Sequence, residues 1–318
     1  MKSVQHSIIG LPKSGKSTFL AALWHVLSSG EIDSSYEVAQ HGDGHAHLNR
    51  LAASWMRCEP LGRTTSAGEA KAFVSVREVA TGIAVVLNFS DLAGESFEQQ
   101  IAARQCTRDY QETMSAGGGI LLFMSADRKT DGVSIVDLPA TSKKAASARK
   151  GKQKEIAVQS VDSKTDAAPP VSAAAQVAAS ASATRKEATK DWSPILMPQQ
   201  VQLVELLQFA QSKPMGRRHR RVAIVVSAWD VLGNTKLRPK DWVAQEMPLL
   251  HQFLNNNREL FEYTVFGVSA QGGDIGDEKV KAELLRKTAA ERIKCLSDTV
   301  DSHDITSPIA WLTESADA

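Results

Sequence analysis

Gly10–Ser17 reads G-L-P-K-S-G-K-S and fits the pattern G-x-x-x-x-G-K-[ST]. Each residue type has a chemical reason to stand there. Gly10 and Gly15 let the backbone curl until successive amide N–H groups point inward, a geometry that suits phosphate oxygens. Pro12, Lys13 and Ser14 fill the loop between them. Lys16 would reach the β- and γ-phosphates of a nucleotide, and the Ser17 hydroxyl would ligate Mg²⁺. A helix starting there adds the positive end of its dipole, so Gly10 to Thr18 forms one phosphate cradle. A plain glycine turn between strand and helix would leave the Lys-Ser pair at the helix mouth unexplained.

A second stretch, VLNFSDLAGES, places Asp91 at the end of an apolar strand and Gly94 three residues later. The carboxylate can meet the Mg²⁺ of a nucleotide on a neighbouring loop. The glycine supplies an amide with no side chain in the way, suited to sensing a γ-phosphate. Alone, D-x-x-G is a common strand-end turn. Paired with the first motif it points to nucleotide chemistry.

Other candidates carry less. HGDGHAH holds His41, His45 and His47, but no carboxylate or cysteine cluster completes a metal site. RRHRR, Arg217–Arg221, stands just before an apolar strand and reads as a solvated face. Trp24 and Trp55 read as core or inter-helix packing.

These motifs need elements to position them. An apolar strand over Val4–Ile9 enters the loop, and a helix through STFLAALWHVLSS leaves it, with Phe19, Leu20, Leu23, Trp24 and Leu27 on one face. HLNRLAASWMR predicts a helix. AFVSVREV and GIAVVLNFSD predict neighbouring strands joined at Thr81-Gly82. A helix around Phe97–Met114 and the strand ILLFMS follow. Further on come a helix (QQVQLVELLQFAQ), a strand (RVAIVVSA), helix around Trp242–Asn256, a strand (YTVFGVSA) and a helix through DEKVKAELLRKTAAERIKCL. Such alternation, with runs like VAIVV, predicts an α/β fold whose mainly parallel sheet is covered on both faces.

Residues 128–191 interrupt this pattern. They lack any aromatic residue, are rich in Ala, Ser, Lys and Thr, and carry twelve Lys and Arg against seven Asp and Glu. Such a segment buries too little apolar surface to offset its ordering entropy, so a largely disordered insertion is expected. It is read as a tolerated surface loop, with a basic tether for a partner as the alternative. Residues 1–127 and 192–318 then make one domain.

Across 318 residues, 37 Lys and Arg nearly balance 36 Asp and Glu, which argues against nucleic acid or a membrane as partner. Three scattered cysteines fit reduced thiols. The short N-terminal apolar run fits neither a membrane span nor a signal peptide. A soluble, cytoplasmic protein is expected.

The two motifs together resemble the TRAFAC-class, Ras-like P-loop GTPases. More narrowly, IIGLPKSGKSTFLAALW and the closing PIAWL resemble the bacterial double-GTPase or conflict-system GTPase domains. The resemblance covers nearly all of the chain outside the insertion. It implies a six-stranded, mostly parallel sheet with one antiparallel edge strand. It implies GTP or GDP and Mg²⁺ as ligands, a bacterial source, a defence or conflict operon as setting, and an unidentified protein effector or activator.

Residue by residue, the resemblance places Thr64 and Thr65 where a threonine completes the Mg²⁺ shell, with Thr65 preferred. S-A-W-D, Ser227–Asp230, stands for the base-reading [NT]-K-x-D, so Asp230 would accept from guanine N1–H and the amino group. Ser227 and Ala228 depart from that motif, which leaves ATP as an alternative ligand. S-A-Q, Ser269–Gln271, stands for S-A-K, so the backbone around Ala270 would contact the guanine oxygen. Glu95 replaces the Gln that orients the attacking water, and its charge beside a γ-phosphate implies slow or partner-dependent hydrolysis. A non-hydrolysing nucleotide-binding scaffold is the other alternative. Lys13 would stabilise transferred charge in cis or across a dimer, or is an exposed loop lysine.

Overall fold

The computed structural model describes residues 3–39, 45–61, 72–89, 94–127, 197–233 and 235–314. The chain divides into two units, Met1–Asp131 with Pro194–Ala318, and Gly132–Ser193; every described residue belongs to the first. The expected insertion, 128–191, lies outside the described residues, as do Thr64, Thr65, His41 and Asp91.

The strands are β1 (Ser3–Gly10), β2 (Tyr36–Val38), β3 (Ala72–Glu78), β4 (Ala84–Phe89), β5 (Ile120–Ser125), β6 (Arg220–Ser227), β7 (Phe261–Ser269), β8 (Lys294–Leu296) and β9 (Asp301–Ser302). They form one sheet in the order β2-β3-β4-β1-β5-β6-β7-β8-β9. β4, β1, β5, β6 and β7 run parallel, and β3 runs antiparallel to β4. That six-strand group is the Ras-like arrangement implied by the resemblance. Three short strands extend it, β2 beyond β3 and the β8–β9 pair beyond β7, all antiparallel. At two or three residues each they are too short to show period-2 patterning in a sequence.

The helices are α1 (Lys16–Ser29), α2 (Ala46–Met56), α3 (Glu95–Ala103), α4 (Arg108–Ser115), α5 (Gln199–Ala210), α6 (Pro239–Glu246), α7 (Pro248–Asn256), α8 (Glu278–Leu284), α9 (Ala289–Arg292) and α10 (Ser307–Thr313). Three predicted helices are broken. The first parts into α3 and α4, because Arg104 turns left-handed (φ 57°) and the Thr107 side chain caps Tyr110 N–H. Pro248 starts α7 afresh after α6. Thr288 and Glu291 form a capping box that opens α9 after α8 has ended, and the following Lys-Cys-Leu pairs as β8.

Alternate residues of the central strands divide the core into two layers. Ile8, Leu121, Phe123, Ala223 and Val225 pack with Phe19 and Leu23 of α1, Trp55 of α2 and Ile309 of α10. Ile9, Leu122, Met124, Ile224 and Val226 pack on the other face with Phe97 of α3, Leu206 of α5 and Leu250 of α7. The carboxyl ends of the parallel strands thus emerge side by side from a rigid base, where ligands bind in open α/β sheets.

Candidate functional site

At those strand ends lies a cavity of about 380 Å³. Lys13, Gly15 and Thr18 line it from the loop between β1 and α1. Ser227, Ala228 and Asp230 line it from the end of β6, and Ala270 and Gln271 from the end of β7. The phosphate cradle and the base-reading segments read from sequence therefore face one space.

The loop geometry follows from its residues. Gly15 caps α1 in the left-handed region (φ 88°), and a Cβ added there would stand 2.6 Å from Ser227 Cβ. Only glycine meets both conditions. Lys13, also left-handed (φ 62°), is exposed and lines the cavity. Ser14 is buried, while Pro12, Ser17 and Thr18 are half-buried. Lys16 is 2% exposed; its Nζ donates to the carbonyls of Gly10 (2.6 Å) and Leu11 (3.0 Å) and lies 5.9 Å from the Phe97 ring centre. A buried ammonium held by carbonyls of its own loop is positioned to exchange them for phosphate oxygens.

Gly94, the glycine of D-x-x-G, is buried against this loop. It is left-handed (φ 83°), and a Cβ would stand 2.6 Å from both Leu11 C and Pro12 N. Its backbone thus abuts the cradle. Glu95 opens α3, is exposed and is absent from the cavity lining.

The altered base motif is built into the site by other means. Ser227 Oγ donates to the Ser14 carbonyl (2.9 Å), tying β6 to the phosphate loop. Ala228 is left-handed (φ 53°) and starts the short 3₁₀ turn Trp229–Leu232. Trp229 is buried against Gly267 and Trp242, while Asp230 turns to the cavity. Ser269 Oγ donates to Asp230 Oδ1 (2.6 Å) and accepts from Gly272 N–H (3.1 Å). One carboxylate oxygen is thereby fixed, which orients the group for a two-donor partner.

Some contributors were not marked by sequence. Ser125 and Asp127 line the cavity from the end of β5, and Glu59 and Leu61 from the turn after α2. No motif names them; only strand position would have pointed to the first pair. Trp55, read as core, is fully buried as expected, yet its Nε1–H donates to the Ala270 carbonyl (3.0 Å). RRHRR is not a purely solvated face: Arg218 donates to the carbonyls of Met114 and Ser115, and Arg220 to that of Ala210. Arg221 donates to the Glu314 carbonyl. Among the described residues no His, Cys, Asp and Glu cluster could hold a metal ion. Nor is any described helix long and apolar enough to cross a membrane.

A family model described as Double-GTPase 1 matches residues 7–312. The chain belongs to the Double-GTPase 1 family. This Double-GTPase 1 chain is a P-loop GTPase of the Ras-like superfamily. No curated protein matches it. Solved structures similar to it include the bacterial selenocysteine-specific elongation factor EF-Sec. That match has 14% identity and TM-score 0.36, covering 90% of this chain and 29% of the factor. Another is the Arl6 BBS3 small GTPase of Trypanosoma brucei with bound GppNp, at 8% identity and TM-score 0.34, covering 92% and 99% of the two chains. A third is Era in complex with MgGDPNP and nucleotides 1506–1542 of 16S ribosomal RNA, at 17% identity and TM-score 0.29, covering 92% and 57%. The chain thus spans under a third of the elongation factor.

The Era complex corrects one expectation. The expectation that nucleic acid is an unlikely partner does not stand beside Era, a similar structure seen in complex with 16S ribosomal RNA. That expectation rested on near-zero net charge, which sums over the whole chain and ignores where the charges lie.

Proposed function

We propose that the protein binds GTP and GDP in the 380 Å³ cavity and acts as a nucleotide-dependent switch with slow or partner-assisted hydrolysis. The carrying observation is that one cavity is lined both by Lys13, Gly15 and Thr18 and by Asp230 and Ala270. The phosphates would take the amides of Gly10–Thr18 and the Lys16 ammonium. Asp230, fixed by Ser269, would accept from N1–H and the amino group of guanine, a pair that adenine does not present. Gly94, abutting Leu11 and Pro12, would sense whether a γ-phosphate is present.

Mg²⁺ would neutralise phosphate charge. Ser17, in the first turn of α1, offers a hard oxygen donor that fits it, and Asp91 and Thr65 supply the same donor chemistry. Glu95 supports the slow reaction: it is an exposed carboxylate beside the γ-phosphate sensor, where a neutral water-orienting group would serve better. Lys13 lines the cavity and would stabilise charge on the transferred group, alone or with a protein activator.

Competition binding with GTP, GDP, ATP and ADP tests the base assignment, repeated with Asp230→Asn. Guanine nucleotides should bind more tightly, and the variant should lose that preference. Tighter binding of ATP than GTP would overturn the reading. Single-turnover hydrolysis by the purified protein tests the switch: a slow rate that Glu95→Gln raises is expected, and rapid unassisted turnover contradicts it.

The non-hydrolysing scaffold is favoured by the same Glu95 placement. It predicts no product in single turnover, with or without added partners.

A further inference from the structure

Three segments meet behind the base-reading loop at the end of β7. Trp55, at the end of α2, is fully buried and donates its indole N–H to the Ala270 carbonyl (3.0 Å). Arg292, closing α9 and 4% exposed, sets its guanidinium 5.5 Å from the centre of the Trp55 ring. The same group donates to the Met56 carbonyl (3.1 Å) and the Cys58 thiol (3.4 Å), which holds the end of α2 in place. Gln271 Nε2 donates to Cys58 Sγ (3.3 Å). Ala270 and Gln271 line the cavity; Trp55 and Arg292 do not.

We infer that Trp55 is a specificity-positioning residue: its indole tether to the Ala270 carbonyl fixes the donor pattern that the base-reading loop presents to the nucleotide. The inference rests on the cavity being the nucleotide site. In a trans peptide the carbonyl and the N–H point opposite ways, so anchoring the Ala270 carbonyl on Trp55 turns the Gln271 N–H to the other side of the loop. A loop that offers N–H groups suits guanine, whose O6 is an acceptor. A flipped peptide would offer a carbonyl, which suits the amino group of adenine. The flip would break a buried hydrogen bond and strand the indole donor without a partner, so the tether opposes it. Arg292 strengthens the arrangement by stacking on the indole and gripping the turn that follows it. Discrimination is thus set partly from behind the loop, by side chains that never touch the ligand.

The test measures dissociation constants for GDP and ADP on the full chain, wild type and Trp55→Phe. Phenylalanine keeps a ring beneath Arg292 and removes only the donor. The expected result is that the ratio of the two constants moves about tenfold towards one, the size of a single lost hydrogen bond. Equal weakening of both nucleotides, or no change in the ratio, overturns the inference, because a purely structural tryptophan would affect both alike. If Trp55→Phe does not fold, Arg292→Lys gives the same readout, with a smaller change in ratio expected and an unchanged ratio overturning it. A wild type that prefers ADP sinks the guanine assignment and with it the donor pattern inferred here, whereas a wild type that prefers GDP with a ratio neither variant moves overturns the tether alone.

Discussion

The two ends of the sheet are built on opposite rules. At the amino ends of the parallel strands, buried and half-buried side chains bond to backbone and side-chain groups of neighbouring elements. His6 Nδ1 accepts from Gly119 N–H (3.0 Å), its Nε2 bonds Thr313 Oγ1 (3.1 Å), and Arg218, Arg220 and Arg221 take carbonyls at the carboxyl ends of α4, α5 and α10. At the carboxyl ends, Lys13, Gly15, Asp230 and Ala270 line an open cavity. Of the four non-glycine residues in the left-handed region among the described residues, Lys13, Cys58 and Ala228 lie in or beside its lining segments. One end uses its cations to finish helices, and the other holds strained backbone around a space for a ligand. The difference shows why a buried lysine and a buried arginine in one fold serve unlike ends.

The largest effect should come from removing Lys16. Lys16→Ala should weaken GDP binding by about 1000-fold, or ~4 kcal/mol, while the fold persists; calorimetry and a melting curve would show both. Retained affinity would mean the cradle is not where phosphate binds.

The closed end should instead respond to acid. Burial, then the nearby Arg221 charge, hold the His6 pKa down at about 4 against an ordinary value of 6.5, with the Gly119 contact opposing. Above pH 6.5 the imidazole is neutral folded or unfolded and costs nothing. As pH falls from 6.5 to 4 the unfolded chain takes up a proton that the folded one refuses, which removes about 3 kcal/mol of stability. Urea unfolding at pH 7 and pH 4.5 should show the loss, and His6→Gln should flatten its share of that slope. An unchanged slope would place a charged or solvated histidine there.

Smaller effects sharpen the contrast. Arg218→Ala should cost about 1.5 kcal/mol of stability by freeing the α4 carbonyls, with GDP affinity unchanged. Ser227→Ala should do the reverse. Loss of its bond to the Ser14 carbonyl should raise the GDP dissociation rate about fivefold, near 1 kcal/mol, with little change in melting temperature. If the two variants traded these phenotypes, the division between the ends would fail.

How much of this a reader of residues could foresee depends on range. The phosphate loop was legible because its chemistry is local: glycines, lysine and serine within eight positions, flanked by the predicted strand and helix. β5 was legible because it is buried along its whole length and apolar from Ile120 to Met124. The helix breaks at Arg104 and Thr288 were not, since ordinary residues there adopt caps that their neighbours set. The arginine run misled for a related reason: two of the carbonyls that Arg218 takes are about a hundred residues away. Trp55 was placed correctly in the core, but its partner Ala270 lies 215 positions on, and no spacing rule connects them.

The bond between His6 and Thr313 spans 307 positions and brings the first strand and the last helix together. It lies at the end of the sheet remote from the cavity. A reporter on exposed Arg217 or Glu314, both at this end of the sheet, would therefore leave the mouth of the cavity clear. A donor–acceptor dye pair at those two positions would span the back of the sheet and serve as an internal reference against which movement near Gly94 could be measured.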